Sequence, residues 1–197
     1  PLAEFEGRLM RELAGGDVLV ISGSMPKGVP VRSYASWIEA ARTRGAKTIL
    51  DADGEALAEG LKGGPDLIKP NVHELERLTG TALSGSDAIL AAARQIMTAH
   101  RVGSVVVSLG SEGAIFANAD QAWLAAGIKV VPKSTVGAGD AMVAAIALGM
   151  SQGKPLEDLV VPAVAAGTAA VVTEGSDLFG PDILAGFIPK VLYAPVS

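Results

Sequence analysis

Cysteine is missing from all 197 residues, which excludes disulfides, thiolate nucleophiles and cysteine-ligated metal sites. Aromatic residues make up only 4% and charged residues 19%, against 49% hydrophobic. That balance excludes a disordered chain. A core poor in rings must rest on Val, Leu, Ile and Ala, which suits a buried parallel sheet covered by helices. A basic excess is also lacking: the net charge is −5, which argues against a nucleic-acid partner. It leaves room for an anionic ligand, because a helix N-terminus or a bound metal attracts anions at short range. No uncharged apolar run reaches the roughly 18 residues of a membrane span. The longest such stretch, Ala141–Met150, reads as a buried helix. No secretory leader pattern is visible, so the expectation is a cytoplasmic protein, although its first residue is Pro1 rather than Met.

What is present alternates. Asp17–Ser22, Thr48–Asp51, Asp66–Lys69 and Ser104–Leu109 are short β-branched or apolar runs and read as buried strands. Between them Val31–Gly45, Glu55–Leu61, Val72–Leu78 and Ser86–His100 carry helical spacing. Ala114–Ala117 and Gln121–Ala126 read as an antiparallel pair turning at Asn118–Asp120. From Gly137 the pattern is helical almost to the end, with breaks near Gly153–Pro155 and Glu174–Gly175. Strand–helix alternation predicts one α/β domain over 1–197, a three-layer α/β/α arrangement around a mostly parallel sheet. Ligands bind at the carboxyl ends of the strands in such sheets. The loops after Ser22, Asp51, Lys69 and Leu109 and the helix start at Gly137 therefore hold the candidate site.

Four segments carry chemistry. In Thr135-Val136-Gly137-Ala138-Gly139-Asp140 two glycines open an apolar helix. Their bare N–H groups and the helix dipole suit an anion, and an acid in the first turn suits a base that takes a proton from an attacking hydroxyl. The plainer reading is a Gly-rich turn whose Asp complements the dipole. In Lys69-Pro70-Asn71-Val72-His73-Glu74, Asn71 and Glu74 share a helix face and offer oxygens to Mg²⁺, and Lys69 can meet a phosphate. The plainer reading makes Asn71 and Glu74 a capping box. Ser108-Leu109-Gly110-Ser111-Glu112-Gly113 is either a tight turn or a wrap for a nucleotide. Ser22-Gly23-Ser24-Met25-Pro26-Lys27-Gly28 is either a structural loop or a site for a phosphate or sugar hydroxyls. No Gly-x-x-x-x-Gly-Lys-Ser/Thr occurs, and the dinucleotide fingerprint is absent. His73 and His100 lack visible partners, and Trp37 and Trp123 read as core or interface residues.

The order and spacing of these segments resemble the ribokinase (PfkB) family of carbohydrate kinases over nearly the whole chain. Thr135–Asp140 is similar to that family's C-terminal signature, Asn71-Val72-His73-Glu74 to its Asn-x-x-Glu element, and Ser22–Gly28 to a loop of its phosphosugar branch. The resemblance implies ATP-dependent phosphoryl transfer to a phosphosugar hydroxyl. Fructose 6-phosphate is the first choice, with fructose 1-phosphate and tagatose 6-phosphate kinases as rivals. A nucleotide-binding module without catalysis and an inactive fragment are the rivals of another class.

The same resemblance assigns roles. Asp140 is the base, and Gly137, Ala138 and Gly139 form an anion hole. Lys69, Asn71, Ser108, Gly110, Gly113, Val164 and Thr168 line ATP. Asn71 and Glu74 organise Mg²⁺, partly through water. Ser24 and Lys27 face the substrate. Ser134, Val136, Ala170, Thr173, Gly175 and Asp177 match a K⁺ site. Three stretches depart from the branch pattern: Lys27 stands where Pro is usual, Asp51-Ala52-Asp53-Gly54 replaces Asp-Thr/Ser-Ser-Gly, and Thr173 and Asp177 differ within the K⁺ set. The family carries roughly a hundred further residues before this span. They supply first strands, a β lid with the usual homodimer contact, and sugar-holding groups, and all of these are expected to be absent here.

Overall fold

The computed structural model describes residues 2–175 and 177–197. Helices α1 (Leu2–Glu12), α2 (Ser33–Thr43), α3 (Gly54–Gly60), α4 (Val72–Thr79) and α5 (Gly85–His100) alternate with strands β1 (Val18–Ser22), β2 (Lys47–Asp51), β3 (Leu67–Ile68) and β4 (Ser104–Ser108). Strands β5 (Gly113–Asn118) and β6 (Ala122–Ala126) follow as a hairpin. Helices α6 (Ala138–Ser151), α7 (Leu156–Val171) and α8 (Pro181–Phe187) then precede strand β7 (Tyr193–Val196).

All seven strands form one sheet in the order β1-β2-β3-β4-β5-β6-β7. β1 through β4 run parallel, and β4 through β7 run antiparallel. The sheet is therefore half parallel rather than mostly parallel. The reason is local: residues 109–112 and 119–121 are all that join β4 to β5 and β5 to β6, and a parallel return needs a crossover of a dozen or more residues. The hairpin turn closes on Asn118, whose Oδ1 accepts from the N–H groups of Asp120 (3.0 Å) and Gln121 (2.8 Å). β7 corrects the expectation of helix almost to the end. Its Pro195 and exposed residues fit an edge strand, where a missing N–H costs nothing.

Strand residues divide by alternation between two cores. Ile21, Leu50, Ile68, Val105, Val107 and Ile115 point to the face covered by α2, α3, α4 and α5. Ile49, Leu67, Val106 and Phe116 point to the face covered by α6, α7 and α8. Period-two side-chain placement thus gives the three layers. Helix α1, for which the sequence carried no expectation, buries none of its residues. It is held through Trp37, whose Nε1 donates to Glu6 Oε1 at 3.0 Å and whose ring meets Phe5 edge-on at 5.3 Å. Trp123 is buried in the second core.

Candidate active site

Three neighbouring strands end side by side. Register pairs Ser22 with Asp51, and the β2–β3 pairing of Leu50 with Ile68 brings Lys69 next to Asp51. Lys69 is only 6% exposed, which is rare for lysine and demands a partner. Its Nζ stands 3.1 Å from Asp51 Oδ1. Burial pushes the Asp51 carboxyl above its ordinary value of 3.8. Lys69 opposes that rise, and the charge of Asp140 adds to it.

Helix α6 starts above this row. Its N-cap is Gly137, at φ 79° and ψ −5°, a left-handed conformation that favours glycine. Val136 N–H donates to Ser134 Oγ at 3.1 Å, and Ala138 N–H reaches Thr135 O at 3.5 Å. Among the described residues no acceptor takes the N–H groups of Gly137, Gly139 or Asp140. A helix start with free donors is a place for an anion. A Cβ on Gly139 would lie 3.2 Å from Lys69 Nζ, so the ammonium adjoins the same loop. Asp140 is exposed and accepts from Ser22 Oγ at 3.4 Å. Gly137, Gly139, Asp140 and Lys69 are thus together, as the sequence led us to expect. Ala138 is in place, with its weak bond to Thr135.

The Lys69-Pro70-Asn71 turn is tied to the end of β4. Asn71 bridges to Ser108, and Ser108 N–H donates to Pro70 O at 3.0 Å. Asn71 and Glu74 form the full capping box. Asn71 Oδ1 accepts from Glu74 N–H (2.9 Å), and Glu74 Oε2 and Oε1 accept from Asn71 N–H (2.9 Å) and Nδ2 (2.8 Å). The plainer reading of these two residues is therefore correct as far as it goes. Each oxygen keeps spare lone pairs.

The Ser108–Gly113 turn is pinned by Leu109 N–H to Gly113 O at 2.8 Å. Gly110 has φ 61° and Gly113 φ 112°, and a Cβ on Gly113 would fall 2.0 Å from Ala125 O. Helix α7 packs against β5 and β6, with Val164 buried. Thr168 Oγ1 donates to Val164 O at 2.8 Å, which uses the hydroxyl proton and leaves its lone pairs. Ser24 and Lys27 are exposed in the loop after β1. That loop is anchored where Gly23 N–H donates to Asp51 O at 2.9 Å.

Val136, Ala170 and Asp177 line a groove of about 660 Å³ together with Gly137, Asp140 and Leu148. Ser134 joins them through its bond to Val136. Thr173 Oγ1 donates to Ala169 O at 2.9 Å, and its N–H donates to Ala170 O at 3.1 Å. Gly175 sits at φ 57° between Thr173 and Asp177. No group of three or more His, Asp or Glu side chains gathers around a metal-sized point among the described residues. Asp51 entered the site without a role from the sequence, and Ser22 only as a member of the loop Ser22–Gly28. The signal was their place at strand ends beside Lys69; their partners became visible only with the strand register.

Residues 2–182 match the model of the pfkB family carbohydrate kinases. This chain belongs to that family. It is 40% identical over 177 residues to the ATP-dependent 6-phosphofructokinase isozyme 2 of Escherichia coli K12, covering 87% of this chain and 56% of that protein. Against the 1-phosphofructokinase of the same strain it is 34% identical over 181 residues, covering 92% and 58%. The crystal structure of Escherichia coli phosphofructokinase-2 with potassium superimposes with a TM-score of 0.90 at 35% identity, over 95% of this chain and 61% of that one. The tetrameric inhibited form of that enzyme gives 0.86 at 34% identity, over 95% and 60%. This pfkB-family chain therefore spans about 60% of the length of its relatives. No helix among its described residues is long and apolar enough to cross a membrane.

Proposed function

We propose that this chain is the nucleotide-binding and phosphoryl-transfer part of an ATP-dependent kinase acting on a phosphosugar hydroxyl, with fructose 6-phosphate the first substrate to test. One observation carries the reading: a carboxylate, Asp140, stands in the first turn of a helix whose N–H groups are free and whose start adjoins a buried ammonium. A pure binding site gains nothing from an acid beside phosphate. A transfer site needs one to take the proton from the attacking hydroxyl. The free N–H groups of Gly137 and Gly139, with Ala138 between them, are aimed where charge spreads over the moving phosphoryl group. Lys69 meets phosphate from below. Ser108, Gly110 and Gly113 line the nucleotide with Asn71, and the α7 residues Val164 and Thr168 back the base. Ser24 and Lys27 face the sugar phosphate.

Asn71 and Glu74 would hold Mg²⁺, mainly through water. The absence of a three-carboxylate cluster among the described residues fits an ion that keeps its waters and rests on substrate phosphates. Bound there, it would neutralise developing phosphate charge. A K⁺ beside the anion hole would use Ser134, the carbonyls of Val136, Ala170 and Gly175, and Asp177. The Thr173 hydroxyl already donates to Ala169, so it contributes only a remaining lone pair. The homodimer of the family's whole proteins is proposed for the protein that carries this chain.

The test is Asp140→Asn. MgATP affinity by calorimetry should stay within about threefold, while turnover of fructose 6-phosphate falls by ~10²–10⁴-fold, the range for loss of a general base. Near-parental turnover would remove Asp140 from the chemistry. A parent that binds MgATP but transfers nothing to any phosphosugar would favour the binding module instead.

A further inference from the structure

One buried ammonium is paired with one carboxylate and adjoins the helix start that carries another. Lys69 Nζ is 3.1 Å from Asp51 Oδ1 and adjoins Gly139, the residue immediately before Asp140. Asp140 makes no ion pair among the described residues, and its partner is the neutral Ser22 hydroxyl at 3.4 Å. The backbone enforces this choice. Parallel register sets Asp51 between Ser22 and Lys69, and Gly23 N–H fixes the Asp51 carbonyl at 2.9 Å. A lysine that is almost fully buried must have an anion partner. If Asp51 lost its charge, the next carboxylate along the loop that Lys69 already touches is Asp140. A carboxylate paired with an ammonium is held in its charged form and takes a proton less readily.

We propose that Asp51 is a positioning residue that holds the Lys69 ammonium off Asp140, leaving the Asp140 carboxylate free to take the substrate's proton. This rests on the kinase reading above. Asp51 touches neither sugar nor phosphate in this role. It settles where the positive charge sits, beside the anion hole and away from the base.

The experiment compares four proteins: parent, Asp51→Asn, Lys69→Met and the double variant. Each is measured for MgATP affinity by calorimetry and for turnover of fructose 6-phosphate. Asp51→Asn keeps the shape and one oxygen but removes the charge. At saturating MgATP its turnover should fall at least tenfold, as expected when a general base is engaged elsewhere. Set against Lys69→Met, the double variant should keep turnover within about threefold, because no ammonium remains for Asp51 to hold off. A purely structural Asp51 would make the double variant lose turnover well beyond Lys69→Met, and this result would overturn the proposal. If Asp51→Asn does not fold, the double variant, which buries no unpaired charge, is compared with Lys69→Met. Turnover within about threefold between them supports the proposal, and a further loss overturns it. A parent without transfer activity overturns the kinase reading and this role with it. An active parent unaffected by Asp51→Asn overturns this role alone.

Discussion

Gly139→Ala should separate stability from function with opposite signs. Gly139 lies in the first turn of α6 with an ordinary helical φ, so alanine is compatible with the backbone. Replacing helical glycine stabilises by roughly 0.5–1 kcal/mol in a helix interior and about half that in the first turn. The added Cβ would meet Lys69 Nζ at 3.2 Å and Cε at 3.8 Å. Those are the far atoms of a long side chain, so the repulsion is relieved by a shift of a few tenths of an ångström. For a chain of this size the balance predicts a melting temperature within about 2 °C of the parent. The same shift moves the ammonium away from the anion hole, and the methyl crowds the free N–H groups. Losing one charge-assisted hydrogen bond of roughly 1.4 kcal/mol weakens MgATP about tenfold. Thermal denaturation and calorimetry on one preparation read both numbers. A melting temperature lower by more than about 5 °C would mean that Lys69 cannot give way. Unchanged MgATP affinity would mean that the ligand does not approach Gly139. Either result refutes the reasoning.

Two further outcomes follow from the same geometry. Gly127→Ala places a Cβ 1.9 Å from Ser111 O and 2.7 Å from Ser111 C. These are backbone atoms of the nucleotide turn, so a loss of about 3 kcal/mol, or roughly 6–12 °C, is expected in a melt. Gly186→Ala, which lies in α8 and meets nothing within 4 Å, should not lower the melting temperature and serves as the control. Because the folded state raises the Asp51 pKa above 3.8, native Asp51 holds its proton more tightly than the unfolded chain does. Its contribution to stability is fully present below 3.8 and is lost as pH rises through the folded value. Urea unfolding of parent and Asp51→Asn should therefore show the parent's relative stability shrinking as pH rises above 3.8. A relative stability that grows over that range would show the sign to be wrong.

Much of the site was legible because glycine and helix-start chemistry are local. Gly137, Gly139 and Asp140 lie within four residues, and their spacing alone announces a helix start with an acid in its first turn. Asn71 and Glu74 were equally legible as a capping box, and the structure shows that box complete. Asp51 was not legible as the partner of Lys69, which is 18 positions further along. The bond depends on how β2 and β3 register, and β3 is only two residues long. Helix α1 was missed because its apolar residues meet the rest of the fold mainly at Trp37. The antiparallel half was visible at its hairpin, yet the weight of the βαβ pattern suggested a more parallel sheet. β7 was hidden by Pro195 and by its exposure, which remove both the hydrogen-bonding and the alternation signals of a strand.

The strand order of the sheet is the order of the chain, and this has a consequence for how the molecule assembles. No strand must be slotted between two that are already paired. A strand made later can lie beside the one made just before it, so pairing of β1 to β4 needs no part of β5 to β7. The six steps from β1 to β7, each about 4.8 Å, place these two strands roughly 29 Å apart. Within this span, each strand from β2 to β7 can therefore be added beside its predecessor without reopening a pair already made.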